Sequence, residues 1–188
     1  MKIRAKKSLG QNFLIDNNIL KIIVDCAEIE DKEILEVGPG TGNLTSEILK
    51  KKPKRLFLIE KDNNLINVLK KRFDNKVIYH NEDILNFSIE KLSNTKLTVF
   101  GNLPYNISTE ILTSWIIKIN SIGWFDKLIL MFQKEVADRI VSKYNTSNYG
   151  RLSIISNWKF NIKKRIDIKP TSFNPKPKVD SSLLIFSP

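Results

Sequence analysis

The sequence predicts an α/β fold in which a mostly parallel sheet of seven strands carries helices on both faces and ends in an antiparallel hairpin. Three observations carry this. Short apolar runs alternate with amphipathic stretches along most of the chain. Most of these runs are apolar along nearly their whole length, as strands covered on both faces require. The last two extended stretches follow one another with no helical pattern between them, only prolines.

Behind Asp16, a residue type that caps helices, apolar positions from 19 to 27 recur at helical spacing. Strands are expected at 34–37, 56–60, 77–79, 97–100 and 128–132, with helices at 44–51, 64–73, 108–119 and 135–143. Stretches 158–168 and 179–186 form the terminal hairpin. The 188 residues, 41% hydrophobic and 27% charged, are enough for one domain with a well-buried core. A basic arm over residues 1–15 heads that domain.

Charge narrows the function. Lys and Arg number 31 against 20 Asp and Glu, a net charge of +11, which points to a polyanionic partner. The excess is concentrated at the two ends. Lys2, Arg4, Lys6 and Lys7 have no acid among them, and Lys159, Lys163, Lys164, Arg165, Lys169, Lys176 and Lys178 are accompanied by Asp167 alone. No apolar stretch reaches the ~20 residues of a membrane span, and no signal-peptide core follows the basic start, so a cytoplasmic protein without membrane attachment is expected. Cys26, the single cysteine, reads as helix packing, and His80 as structural. No cluster has metal-ligand spacing, so no metal is expected. Neither a heptad pattern nor an apolar stripe calls for an oligomer, so a monomer is expected.

The run 34–37 leads directly into Gly38-Pro39-Gly40-Thr41-Gly42-Asn43 and then a helix. Glycines at such a turn let backbone approach a ligand closely. A nicotinamide dinucleotide loop needs its third glycine where Asn43 stands, so that reading fails. Gly38, Gly40 and Gly42 alternate instead, which resembles the S-adenosylmethionine loop of Rossmann-like class I methyltransferases. Glu60 follows about 20 residues on, where doubly wound folds hold ribose hydroxyls. Asp83, past the third strand, can accept from an adenine amine.

The fourth strand ends in Asn102-Leu103-Pro104-Tyr105. An adenine exocyclic nitrogen is a poor nucleophile because its lone pair is delocalised into the ring. Two acceptors, the Asn102 side-chain oxygen and the Leu103 carbonyl, can oppose that delocalisation, and Pro104 keeps Leu103 out of helical geometry. Tyr105 offers a face for a base, worth about 1–3 kcal/mol in single-strand stacking.

This element resembles that of adenine-amine methyltransferases, and the whole chain resembles the bacterial small-subunit ribosomal RNA adenine dimethyltransferases. The matching pieces are Gly10-Gln11-Asn12-Phe13-Leu14, Val37-Gly38-Pro39-Gly40, Gly101-Asn102-Leu103-Pro104-Tyr105-Asn106-Ile107-Ser108-Thr109, Phe132-Gln133-Lys134-Glu135-Val136, Tyr149-Gly150-Arg151-Leu152-Ser153 and Phe173-Asn174-Pro175-Lys176-Pro177-Lys178-Val179-Asp180-Ser181. The resemblance implies a class I fold and methyl transfer from S-adenosylmethionine to two adjacent adenosines near the 3′ end of 16S ribosomal RNA. The substrate would be the small subunit or its precursor, and a role in subunit biogenesis follows. It further implies that Asn12 and Leu14 cover the cofactor, Gly38 lines its methionine end, Glu60 holds ribose and Asp83 meets adenine. Asn102 would bind cofactor and target amine, Tyr105 would stack on the target base, and Phe173 would close over the other face.

The sequence departs from that family in one respect, since members usually continue into a small helical domain that is expected to be absent here. Two enzyme rivals, a large-subunit RNA methyltransferase of the antibiotic-resistance type and a DNA adenine methyltransferase, are disfavoured by Leu103 and by the match through Ser108-Thr109. A non-catalytic RNA-binding assembly factor is disfavoured by intact Asn102, Pro104 and Tyr105.

Overall fold

The structure, a computed structural model, describes Lys6, residues 10–118 and residues 123–188. The remaining arm cations, Lys2, Arg4 and Lys7, and the expected helix end at 119 lie outside the described residues.

A seven-stranded sheet organises the chain, with β2 (Glu33–Val37), β3 (Arg55–Ile59), β4 (Ile78–His80), β5 (Leu97–Asn102), β6 (Phe125–Gln133), β7 (Asn161–Ile168) and β9 (Ser181–Ser187) in the order β4-β3-β2-β5-β6-β9-β7. The first five in that order are parallel. β9 inserts antiparallel between β6 and β7, so the expected terminal hairpin is present with β7 at the edge. Two further short strands, β1 (Phe13–Leu14) and β8 (Phe173–Asn174), pair with each other and tie the N-terminal arm to the proline-bearing loop. Nothing in the apolar pattern foretold that pair, because a two-residue strand has no periodicity.

Helices α1 (Asn17–Val24), α2 (Asn43–Lys50), α3 (Asn63–Phe73), α4 (Ser108–Lys118), α5 (Lys134–Ile140) and α6 (Arg151–Lys159) cover the sheet. Asp16 caps α1 as expected, accepting from the amides of Asn18 and Ile19. Strand alternation splits the core into two layers. On β3, Leu56 and Leu58 face α1, α2 and α3, whereas Phe57 and Ile59 face α4 and α5. On β2, Ile34 joins the first layer and Leu35 and Val37 the second.

Most boundaries shift by one to three residues, β6 for instance beginning at Phe125 and not at 128. The strand expected over 158–168 begins only at Asn161, because 151–159 forms α6. That helix is hard to read because its apolar residues are not on one face: Ile154 and Trp158 are exposed while Ser153 and Ser156 are buried. The helix expected over 135–143 ends at Ile140. Cys26 lies just past α1 and is half-buried against the first layer, its thiol donating to the Ile22 carbonyl at 3.1 Å. Burial raises that thiol, outweighing Arg165 and Lys127, so it stays protonated.

The glycine loop is shaped by packing as much as by any ligand. Gly42 has φ +85°, and a Cβ there would lie 2.5 Å from Phe73 and 2.9 Å from Leu69, both on α3. Gly42→Ala therefore should destabilise the fold by about 2 kcal/mol or more, from left-handed strain and overpacking together. Urea unfolding measures this, and an unchanged midpoint would show that α3 yields at no cost.

Candidate active site

Going outward from β2, the chain builds β3 and β4, then crosses back to place β5 on the other side of β2. Loops leaving β2 and β5 therefore part in opposite directions, and a crevice opens at their carboxyl ends, the usual ligand position in open α/β sheets. A cavity of about 250 Å³ occupies that crevice. Its wall is formed by the arm (residues 10–14), the glycine loop, the ends of β3 and β4, and the segment from Asn102 to Ile107.

Of the residues singled out from sequence, Asn12, Leu14, Gly38, Gly40, Glu60, Asp83, Asn102, Leu103, Pro104 and Tyr105 all line this one cavity. Gly42 and Phe173 do not. Gly42 points its missing side chain at α3, and Phe173 is 1% exposed, packed in the same core layer as Leu14.

Asn102 is oriented by the arm. Its side-chain Nδ2 donates to the Asn12 carbonyl at 2.8 Å, which turns the amide oxygen away as an acceptor with no protein donor among the described residues. The turn that follows is closed by Ile107 N donating to the Pro104 carbonyl at 3.1 Å, so no backbone N–H of that turn occupies the Leu103 carbonyl. Tyr105 is held by a hydroxyl hydrogen bond to Ser181 on β9, and burial raises its phenol. Ser181 had no role in the sequence reading. Its only signal was its place at the end of the segment Lys178-Val179-Asp180-Ser181.

Glu60 clamps the glycine loop. One carboxylate oxygen accepts from Gly40 N at 3.3 Å and the other from Asp62 N at 2.9 Å. Burial raises its pKa despite those bonds. Each oxygen retains a lone pair, so the carboxylate can also accept from a diol. Asp83 accepts from Leu85 N at 3.1 Å and pairs with Lys61 at 2.7 Å, the lysine bond being the main reason it sits below the ordinary carboxylate range. Polar groups on an otherwise apolar wall, with a carboxylate able to hold a diol and a second able to accept from an amine, fit a nucleoside.

Against a model of the family described as ribosomal RNA adenine dimethylase, residues 2–188 match. A ribosomal RNA small subunit methyltransferase A from Pelagibacter ubique is 62% identical over 188 residues, all of this chain and 72% of the relative. The chain belongs to the ribosomal RNA adenine dimethylase family. Another small-subunit methyltransferase A, from a Wolbachia of Drosophila simulans, is 43% identical over 99% of this chain and 69% of its own. Among solved structures, a dimethyladenosine transferase from Plasmodium falciparum superposes with TM-score 0.83 at 31% identity, covering 94% of this chain and 63% of that one. The 23S rRNA methyltransferase ErmE superposes with TM-score 0.77 at 25% identity, over 94% of this chain and 69% of that one. The sheet order and the antiparallel insertion of β9 are thus those of a class I methyltransferase.

This dimethylase also buries a carboxyl group that sequence reading passed over. Glu36 of β2 faces the α2 layer, 1% exposed, and accepts from the Thr45 hydroxyl at 2.6 Å. Burial pushes it to about 8, the Thr45 bond opposing and the nearby Glu60 charge assisting. Alternation hid it, since β2 is buried on both faces along its whole length. His80, whose Nε2 is buried without a partner, lies between Phe57 and Phe87, and burial lowers its pKa. It is neutral packing.

Because Glu36 ionises less readily folded than unfolded, its burden on stability is absent below the ordinary value of 4.5 and grows until the pH passes about 8. Glu36→Gln should therefore match the natural chain in urea midpoint at low pH and exceed it increasingly as pH rises to about 8. A constant difference across that window would mean the carboxyl is already charged when buried.

Proposed function

We propose that this chain carries methyl groups from S-adenosylmethionine to the N6 amines of two adjacent adenosines near the 3′ end of 16S ribosomal RNA, giving N6,N6-dimethyladenosine. Family membership supports adenine dimethylation, and the high identity to small-subunit methyltransferases favours the small-subunit address over the 23S substrate named for ErmE. The observation that carries the chemistry is the Asn102 amide, turned by the Asn12 carbonyl so that its oxygen is the free end.

In this reading the two acceptors, Asn102 Oδ1 and the Leu103 carbonyl, take the two N–H groups of the target amine. That geometry pulls the nitrogen lone pair out of conjugation and aims it into the cavity. Tyr105, its ring fixed through Ser181, stacks on the base. When bound, the cofactor supplies an electrophilic sulfonium methyl. The protein's remaining contribution is alignment, which can supply much of the acceleration. Monomethylated amine keeps one hydrogen, so one acceptor still orients it for the second transfer. Glu60 holds the cofactor's ribose, Asp83 its adenine amine, Gly38 and Gly40 its amino-acid end, with Asn12 and Leu14 above. Phe173 would serve the target base only by leaving the core beside Leu14. In its present place it supports the arm.

The RNA is read as lying across α5, α6 and the loop between them. From Arg139 to Arg165 the chain carries Arg139, Lys143, Arg151, Lys159, Lys163, Lys164 and Arg165 with no acid between them. Only Lys164 among these pairs with a carboxylate of the described residues. Tyr144 and Tyr149 stand exposed in the loop with ring centroids 5.8 Å apart, and Trp158 is exposed beside Lys159. Cations beside exposed aromatic rings suit unstacked single-stranded bases. No helix of the described residues is long and apolar enough to cross a membrane. A monomer acting in the cytoplasm on the small subunit or its precursor completes the reading.

Asn102→Ala should reduce methyl transfer by about 100-fold or more, the scale of removing one positioned polar group. Mass spectrometry of digested small-subunit RNA reads the product, and equal dimethyladenosine from the variant would refute the role of Asn102. RNA affinity should fall steeply with salt, and Lys143→Gln with Arg151→Gln should each reduce the log–log slope by about 0.7. A slope unchanged by both would place the RNA elsewhere.

A further inference from the structure

We propose that Asp62 is a positioning residue that latches the N-terminal arm over the cofactor cavity, through its ion pair with Lys6 and its hydrogen bond from Gln11. This rests on the cofactor reading above and names what keeps that site closed.

Asp62 is itself outside the cavity wall. Its side chain is 3% exposed, and it caps α3 by accepting from Asn64 N at 3.0 Å. One oxygen would have sufficed for the cap. Lys6 Nζ comes to the same oxygen at 2.8 Å, and Gln11 Nε2 donates to the other at 3.1 Å. The two arm residues are also joined to each other, since Lys6 N donates to the Gln11 side-chain oxygen at 2.7 Å. Side chains of two arm residues, Lys6 and Gln11, therefore converge on a single buried carboxylate.

The arm has a second fastening, which is apolar and backbone in character. There β1 pairs with β8, Ile15 N donates to the Ser172 carbonyl at 2.9 Å, and Asn43 Nδ2 donates to the Leu14 carbonyl at 2.8 Å. Between the two fastenings lies Asn12, which walls the cavity together with Gly10, Gln11 and Phe13 and orients Asn102. Releasing Asp62 frees the leading end of that wall while the β1–β8 end stays anchored.

The latch favours closure for an electrostatic reason. Burial alone would raise Asp62, yet Lys6, Gln11 and Asn64 N together hold it below the ordinary carboxylate range. An arm that lifts away takes two of those three partners with it and leaves a buried charge undercompensated. The same carboxylate is bonded into the site through its own backbone, because Asp62 N donates to Glu60, whose other oxygen holds Gly40. Arm, Asp62, Glu60 and glycine loop thus form one contiguous chain of bonds.

Lys6→Met and Asp62→Asn, alone and combined, test this in the full chain. Asn caps a helix as well as Asp does, so Asp62→Asn spares α3 while removing the charge. The probe is S-adenosylhomocysteine, followed by its dissociation rate, with exchange of the Gln11 amide, which donates to the Lys6 carbonyl, read in the ligand-free protein. Each single change should speed dissociation about threefold to tenfold, the range of a charge-assisted, half-exposed pair. Exchange of the arm should speed as well, Lys6→Arg should restore both, and Lys6→Met should add nothing to Asp62→Asn. Lys6→Met touches no part of α3, so a merely structural Asp62 would leave it silent. Lys6→Met at natural-chain values in both measurements, or with its full effect retained beside Asp62→Asn, overturns the latch. If the natural chain binds no S-adenosylhomocysteine but Lys6→Met still speeds arm exchange, the latch stands and the cofactor reading fails.

Discussion

The parallel pairing of β2 with β5 is the constraint from which the site follows. Residues 34–37 lie in register with 98–101 although two strands and two helices separate them in sequence. Because β3 and β4 are laid down on one side of β2 and β5 on the other, the loops after β2 and β5 must diverge. The divergence leaves backbone polar groups at the carboxyl ends facing a crevice instead of a neighbouring strand. The glycine loop, Glu60, Asp83 and Asn102 all hang from those ends, so each needs only a short turn to reach the same cavity.

Around that crevice the charge is divided. Glu60 and Asp83 line it and Asp62 stands just outside, within a chain of net charge +11, while the stretch from Arg139 to Arg165, which runs from the end of α5 through α6 into β7, carries seven cations and no acid. An acidic, partly desolvated pocket favours a cationic cofactor, and a basic outer surface favours a polyanion. The two requirements do not interfere because Glu60 and Asp62 are buried among hydrogen-bond donors and Asp83 is paired with Lys61, which shortens their reach, whereas the cations face solvent and act over a Debye length.

The N-terminal arm links pocket and chemistry. Its Asn12 carbonyl decides which end of the Asn102 amide is presented, and its Phe13 ring occupies the space that a Cβ on Gly40 would take, 2.8 Å away. A disturbance of the arm therefore reaches the catalytic acceptor and the glycine loop together. This is a physical reason for the unbranched glycine at position 40 that involves no ligand.

Strands and most helices were legible because each declares itself within a few residues: short, largely apolar runs for β2, β3, β5 and β6, helical spacing behind Asp16 for α1, alternating glycines for the loop. The candidate site was legible for the same reason, since Gly38, Glu60, Asp83 and Asn102 each stand at the end of a strand that local pattern locates. Helix α6 was not, because its serines face inward and its Trp158 outward, inverting the usual pattern. Nor were Ser181, Asp62 and Glu36. Tyr105 meets Ser181 across 76 positions, and Lys6 meets Asp62 across 56. The sequence by itself determined the elements and the residue types that carry chemistry, because these depend on neighbours along the chain. Which polar groups are buried, which way Asn102 turns and what holds the arm were decided by tertiary packing, because hydrogen-bond partners distant in sequence leave no period to read.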